Sequence, residues 1–208
     1  MNTDICVIFG AGNEFPDKIE LPEGNVVIIA ADGGMKKLGE LGITPDHAIG
    51  DLDSLDNAPY SVDFRKLPHI KDTTDMYEAV KIGLSLGCSE FHIYGGTGGR
   101  LDHTLANIQL AAELSAKGKK INIYGSGYVI TAVTNGKITL PCRESGYVSV
   151  FAHSDICAGV TIKGLFYEIE NAELRNTFAL GVSNEFSGKK AEITVKRGTL
   201  CIYYEVQQ

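Results

Sequence analysis

Four polar clusters in this chain have the residue types and spacing for chemistry on phosphate groups. The first is Ala31-Asp32-Gly33-Gly34, directly after the apolar run 26–30. Paired glycines let a backbone approach a ligand, and Asp32 suits a metal's water shell or a ribose; a tight turn leading into a helix cap is the plain alternative. The second is Gly50-Asp51-Leu52-Asp53-Ser54, in which carboxylates at i and i+2 can face one divalent ion. A calcium-type EF-hand loop is excluded, because Asp56 stands at the glycine position and Val62 at the terminal glutamate position. That leaves a Mg²⁺ site with few carboxylates and several waters, or a solvated acidic turn.

The third cluster, Lys71-Asp72-Thr73-Thr74-Asp75, opens an expected helix over 75–86. Thr74 is a credible N-cap and Asp75 suits the helix dipole, while Lys71 brings a cation to a helix end that favours anions. The fourth is Gly95-Gly96-Thr97-Gly98-Gly99-Arg100-Leu101-Asp102-His103. Four glycines in five positions exceed what one turn needs. They fit backbone amides curling round phosphate oxygens, with the planar Arg100 fork on the same group. It is not a Walker A loop, which ends in Gly-Lys-Ser/Thr. Nor is Gly10-Ala11-Gly12 a dinucleotide fingerprint, since Phe15 stands where the third glycine belongs.

The elements expected to position these clusters come in two rhythms. Residues 5–9, 26–30, 48–49, 91–94 and 121–124 read as buried strands, alternating with helical patterns at 35–41, 75–86 and 103–116. The last of these places Leu105, Ile108, Ala112 and Ser115 on one face. Such alternation predicts an α/β fold with a parallel sheet, whose ligands sit outside the carboxyl ends of the strands. All four clusters fall at such strand ends or helix starts. After Gly125 the runs 128–133, 137–140, 147–151, 160–163, 166–169, 191–196 and 200–206 are short, often alternating and separated by turn residues. That pattern predicts a small all-β sandwich, so the expected division is 1–125 and 126–208.

Composition narrows the function classes. With 44% hydrophobic and 22% charged residues among 208, the chain is ordinary for a globular protein. Its net charge of −7 opposes a duplex-binding surface, which must neutralise phosphates, but not the binding of one nucleotide beside a divalent metal. Five scattered cysteines without a C-x-x-C pair indicate neither a disulfide framework nor a zinc knuckle. No apolar run reaches the roughly 18–20 residues of a membrane span, and the first ten residues lack a basic segment. A cytoplasmic protein is expected.

The ordered set ADGG (31–34), GDLDS (50–54), KDTTD (71–75) and GGTGGRLDH (95–103) resembles the thiamine pyrophosphokinase family, and Gly181-Val182-Ser183-Asn184 resembles its thiamine-side motif. The resemblance implies an N-terminal α/β domain carrying ATP and Mg²⁺, and a C-terminal β-sandwich that binds thiamine and dimerises. It also implies a homodimer with active sites between subunits. Carried across, Asp51, Asp53 and Asp75 become metal ligands, and these three with Arg100 and Asp102 the catalytic set. Asp32, Gly33, Lys71, Thr74, Gly96, Gly98 and Gly99 become nucleotide and phosphate contacts, and Ser183 and Asn184 thiamine contacts. Some members have a tryptophan near the C-terminus that lies against thiamine; this chain has none, and Cys201 or a neighbour falls about there. Other readings are a pyrophosphokinase acting on a pterin alcohol, and a nucleotide or thiamine sensor without turnover. Phe178 and Phe186 could face a cationic two-ring acceptor or lie in the sandwich core.

Overall fold

The computed structural model describes residues 4–50, 63–66 and 72–206, the segment 63–66 by its backbone. Contacts group the chain into two compact units, one of residues 1–107 with 123–126, the other of 108–122 with 127–208.

The first unit holds strands β1 (Ile5–Phe9), β2 (Val26–Ala31), β3 (His47–Gly50), β4 (Asp63–Lys66) and β5 (Glu90–Tyr94). They form a parallel sheet in the order β5-β1-β2-β3-β4. Period-two alternation gives β1 two buried faces. Val7 and Phe9 pack with Leu38 of helix α1 (Gly34–Glu40). Cys6 points the other way, close against Gly83 of helix α2 (Asp75–Ser85). A strand covered on both sides must be apolar throughout, which is why ICVIF reads as a continuous run. Register sets the functional edge: Phe9 is level with both Ala30 and Tyr94, and Ala31 is level with Ile49. The residues that follow each strand therefore emerge side by side.

Helix α3 (Leu101–Ala116) and strand β6 (Lys120–Gly125) each contribute residues to both units. The expected apolar face of α3 needs correction. Leu105 is 54% exposed, and the buried stripe is Asn107, Leu110, Ala111 and Leu114, with Ala112 and Ser115 beside it. Apolar spacing alone did not separate the two faces, because Leu101 and Leu105 at i and i+4 form a second, exposed stripe.

From Tyr128 onward the second unit is an all-β sandwich. One sheet joins β7 (Tyr128–Thr134), β14 (Thr199–Glu205), β9 (Tyr147–Ala152) and β12 (Gly181–Glu185) as antiparallel neighbours. The other has the order β11 (Ile169–Arg175), β10 (Ile156–Lys163), β13 (Ala191–Thr194), β8 (Lys137–Leu140). Val148, Val150, Leu200 and Ile202 of the first pack with Val160, Ile162 and Ile193 of the second. Each such buried aliphatic side chain contributes about 1.5–3 kcal/mol, so a charge at Val148 or Ile193 would break the sandwich. The run 166–169 is not a strand; β11 starts where it was expected to end.

Candidate active site

A cleft of ≈ 350 Å³ opens at the carboxyl edge of the parallel sheet, within the size range of small-molecule sites. Its rim is built from strand ends and helix starts. Gly10 to Asn13 follow β1, Ala31 and Asp32 close β2, and Gly95, Gly96, Gly98 and Gly99 follow β5. Thr74 and Asp75 open α2, while Arg100 and His103 stand at the start of α3. The starts of two helices thus open on one space, the arrangement that favours anions.

The two glycine loops are stitched together. Gly10 N–H donates to Tyr94 O at 2.8 Å, and Gly12 N–H to Gly95 O at 2.8 Å. A Cβ at Gly12 would lie 2.2 Å from the Thr97 carbonyl oxygen, so no larger residue fits without parting the loops. Gly98 has φ +81°, a left-handed conformation that costs other residues roughly 1–2 kcal/mol, and a Cβ there would meet Asn13 Oδ1 at 2.1 Å. The buried Asn107 carboxamide donates to Gly96 O at 2.7 Å and fixes the loop from beneath.

Thr74 has the extended backbone of an N-cap and accepts from Tyr77 N–H at 3.2 Å, as its position in KDTTD predicts. Asp32 lies in the left-handed region at φ 51°, and its N–H donates to Ile49 O at 2.8 Å. A non-glycine residue in that region is uncommon, and such conformations concentrate at functional sites. Gly33 is the N-cap residue of α1, without a side-chain capping bond, and does not line the cleft.

Arg100 is held by Asp102 through a two-pronged contact, Nε to Oδ1 at 3.1 Å and Nη2 to Oδ2 at 2.6 Å. This bond raises the arginine's pKa further and holds the Asp102 carboxyl below its usual range. Both side chains remain largely exposed, so the pair aims the guanidinium more than it stabilises the fold. Asp51, Asp53 and Lys71 lie outside the described residues; Gly50, just before Asp51, ends β3. Among the described residues no group of three or more His, Cys, Asp or Glu could hold a metal ion.

Ser183 and Asn184 lie in the second unit, on β12. Their strand is bulged: Gly181 pairs with Val150 but Asn184 with Val148, so one extra residue sits between. The bulge exposes both Val182 and Ser183 and turns Asn184 inward, where it is 5% exposed. Asn184 Oδ1 accepts from Tyr167 N–H at 2.9 Å and Glu185 N–H at 2.8 Å, while Nδ2 donates to Tyr167 O at 2.7 Å. Phe186 is core at 4% exposure, whereas Phe178 is exposed. Cys201 is buried in β14, where burial pushes its thiol pKa up to about 12, so it offers no face to a ligand.

Two family models match the chain: the catalytic domain of thiamin pyrophosphokinase over residues 20–124, and the vitamin B1 binding domain of thiamin pyrophosphokinase over residues 136–200. The chain belongs to the thiamine pyrophosphokinase family. It is 28% identical over 207 residues to the thiamine pyrophosphokinase of Bacillus subtilis strain 168, covering 96% of this chain and 97% of that one. The crystal structure of a thiamine pyrophosphokinase from Bacillus subtilis superposes with a TM-score of 0.88 at 25% identity, over 99% of this chain and 100% of that one. That of Geobacillus thermodenitrificans gives 0.86 at 27%, over 98% of each. The Candida albicans enzyme, at 14% identity and a TM-score of 0.75 over 98% of this chain and 90% of that one, shares the fold.

Within this thiamine pyrophosphokinase fold, the catalytic-domain match contains ADGG, GDLDS, KDTTD and GGTGGRLDH, and the vitamin B1 binding match contains Ser183 and Asn184. Seven of the expected residues, Asp32, Thr74, Asp75, Gly96, Gly98, Gly99 and Arg100, line one cleft. Sequence reasoning missed Gly10 to Asn13, Met76 and Asn107, which line it too. Two glycines directly after β1 were the available signal. Testing them only against a dinucleotide fingerprint hid their role as the partner of the second loop.

Proposed function

We propose that this thiamine pyrophosphokinase family member transfers the terminal diphosphate of ATP to the hydroxyl of thiamine, giving thiamine diphosphate and AMP. The observation that carries the reading is the cleft itself, where two glycine loops, two helix N-termini and Arg100 converge beside Asp32 and Asp75. Carboxylates in front of anion-attracting helix ends repel phosphate unless a divalent cation joins them, so the donor set fits Mg²⁺. Asp51, Asp53 and Asp75 would hold that ion, which when bound would add positive charge to that of Arg100 and Lys71.

The chain's own residues act by positioning. Backbone N–H groups of Gly96, Gly98 and Gly99 hold phosphate oxygens, with Lys71 and Thr74 at the start of α2 and with Asp32 and Gly33 on the nucleotide side. The thiamine oxygen forms a bond to the β-phosphorus, the bond from that phosphorus to the oxygen bridging it to the α-phosphate breaks, and AMP leaves with that oxygen. The hydroxyl proton passes to a carboxylate or to water. Arg100, aimed by Asp102, meets charge on the moving oxygens, and no covalent enzyme intermediate is needed.

In this reading residues 1–125 serve as the ATP- and Mg²⁺-binding catalytic domain, and 126–208 as the thiamine-binding and dimerisation domain of a cytoplasmic homodimer. No helix among the described residues is long and apolar enough to cross a membrane. The family matches do not favour a pterin alcohol as acceptor or binding without turnover. Incubation with ATP, Mg²⁺ and thiamine tests the reaction: AMP and thiamine diphosphate are expected, and ADP with thiamine monophosphate would mean attack at the wrong phosphorus. Subunit mixing tests the composite site. An Asp51→Asn chain reassociated with a Ser183→Ala/Asn184→Ala chain should regain roughly one good site in two per heterodimer, by two-fold symmetry. No recovery after verified exchange of crippled parents places the acceptor within one chain.

A further inference from the structure

A second concavity lies wholly within the second unit and shares no lining residue with the cleft. It holds ≈ 430 Å³, between the end of α3, the start of β6, the second half of β7 and the edge strand β8. Lys119, Lys120 and Lys137 stand around it, and no carboxylate is among its described lining residues. In a chain of net charge −7, three ammonium groups around one groove reverse the sign of the local field. Contacts within the fold do not explain that gathering. Lys137 reaches Glu192 at 3.1 Å, but both side chains are largely exposed and water screens the pair. The end of α3 does not call for these cations either. Its Glu113 and Leu114 carbonyls accept from Lys117 N–H, Ser115 O from Gly118 N–H, and Leu114 O also from Lys119 N–H. Gly118, at φ +71°, closes this turn, so these carbonyls are not turned bare onto the groove.

The floor of the groove carries a hydroxyl chain with one proton left over. Thr134 Oγ1 donates to Ser115 Oγ at 3.1 Å and meets Thr199 Oγ1 at 2.8 Å. Since the Thr134 proton goes to Ser115, Thr199 donates to Thr134, and the Ser115 O–H has no acceptor among the described residues. Ser115 is only 8% exposed and lines the groove, so its donor is left for whatever the groove holds. We infer that this groove binds a compact phosphate or diphosphate anion carrying two or more charges. Lys119, Lys120 and Lys137 meet its charge, and the Ser115 hydroxyl donates to one of its oxygens. Ammonium groups act on phosphate as point charges on flexible stems and need no planar fork. No aromatic ring is among the described lining residues, so a nucleobase finds nothing to stack on. A diphosphate or a phosphorylated polyol therefore suits the groove better than a nucleotide does, and the volume is of small-molecule size. This site stands apart from the diphosphate transfer proposed above and does not depend on it.

Amide NMR shifts of the full-length protein, titrated with sodium pyrophosphate in the absence of divalent metal, test this. Pyrophosphate can enter the cleft as well, and the two responses are read at different residues. Shifts at 118–122 and 136–139 should saturate with a Kd of about 1 mM or tighter at low salt, and weaken as salt is added. The triple variant Lys119→Gln/Lys120→Gln/Lys137→Gln should lose about tenfold or more of that affinity. It should keep the response at 95–100 and the wild-type turnover. Ser115→Ala should weaken groove binding about tenfold, the scale of a hydrogen bond to a charged group. Arg100→Gln should change the response at 95–100 and leave that at 118–122 as it is. AMP should bind the groove more weakly than pyrophosphate. If the triple variant does not fold, Ser115→Ala and the salt series still decide. Shifts confined to 95–100 would overturn the inference, and so would an unchanged groove Kd in the triple variant. A response at 118–122 that never saturates would mean an adventitious ion only and would overturn it too. Wild-type affinity in Ser115→Ala would remove the hydroxyl from the site, and equal affinity for AMP would overturn the ligand class.

Discussion

The cleft of the first unit and the β12 surface of the second are made of different materials. The cleft is built on glycine loops stitched through Gly10 and Gly12 and on the starts of α2 and α3, with Asp32, Asp75 and Arg100 among its lining residues. The patch on the second unit is lined by side chains, with Tyr167, Leu180 and Val182 around a far smaller cavity. Backbone N–H groups recognise phosphate, which every nucleotide shares, and tolerate no side chain between the loops. In the proposed reading, side chains on the bulged edge strand β12 select the acceptor and are free to differ. The cleft should therefore respond to mutation through catalysis and ATP binding, and the patch through thiamine binding alone.

The largest effect expected on the cleft side is loss of the proposed metal ligands. Asp51→Asn or Asp53→Asn should lower turnover by orders of magnitude with the fold intact by circular dichroism, since such a ligand supplies several kcal/mol of transition-state stabilisation. Near-normal turnover in both folded variants would remove the metal from GDLDS. Arg100→Lys is expected to cost roughly tenfold or more in kcat, because an ammonium cannot reproduce the planar fork that Asp102 aims. Full activity in that variant would reduce Arg100 to a surface ion pair.

The smallest effect concerns stability and sharpens the comparison from beneath. Tyr94 in the first unit and Cys201 in the second are both pushed up to about 12, in each case chiefly by burial. The folded chain keeps these protons while the unfolded chain releases them at the ordinary values of 10.0 and 9.0, so stability should fall as pH rises from about 9 towards 12. Tyr94→Phe should flatten the upper part of that fall in urea titrations; an unchanged slope would contradict it.

What was legible in the sequence follows from burial. The interior strands β1, β2 and β5 and the Thr74 cap are local signals, a continuous apolar run or a capping residue before an amphipathic stretch, and each lies where the sequence predicts. The missed strands β4, β11 and β12 each stand at the edge of a sheet. An edge strand has no second neighbour and often carries charge against further pairing, as Glu170, Glu173 and Arg175 do in β11. In 166–169 the aromatics mimic a strand, but Phe166 and Tyr167 face outward. The cleft was half legible: the GGTGGR loop announced itself, whereas its pairing with residues 10–14 joins positions far apart in the chain and has no local pattern.

Titration calorimetry on the folded Gly98→Ala variant tests the division of labour most directly. The added Cβ would sit 2.1 Å from Asn13 Oδ1, at a backbone φ of +81°. Two ligands are titrated separately, a non-hydrolysable ATP analogue with Mg²⁺ and thiamine. The account predicts that affinity for the nucleotide falls by about tenfold or more, the scale of 1–3 kcal/mol of overpacking strain, while affinity for thiamine stays at the wild-type value. Equal loss of both affinities, or loss of thiamine binding alone, would contradict it.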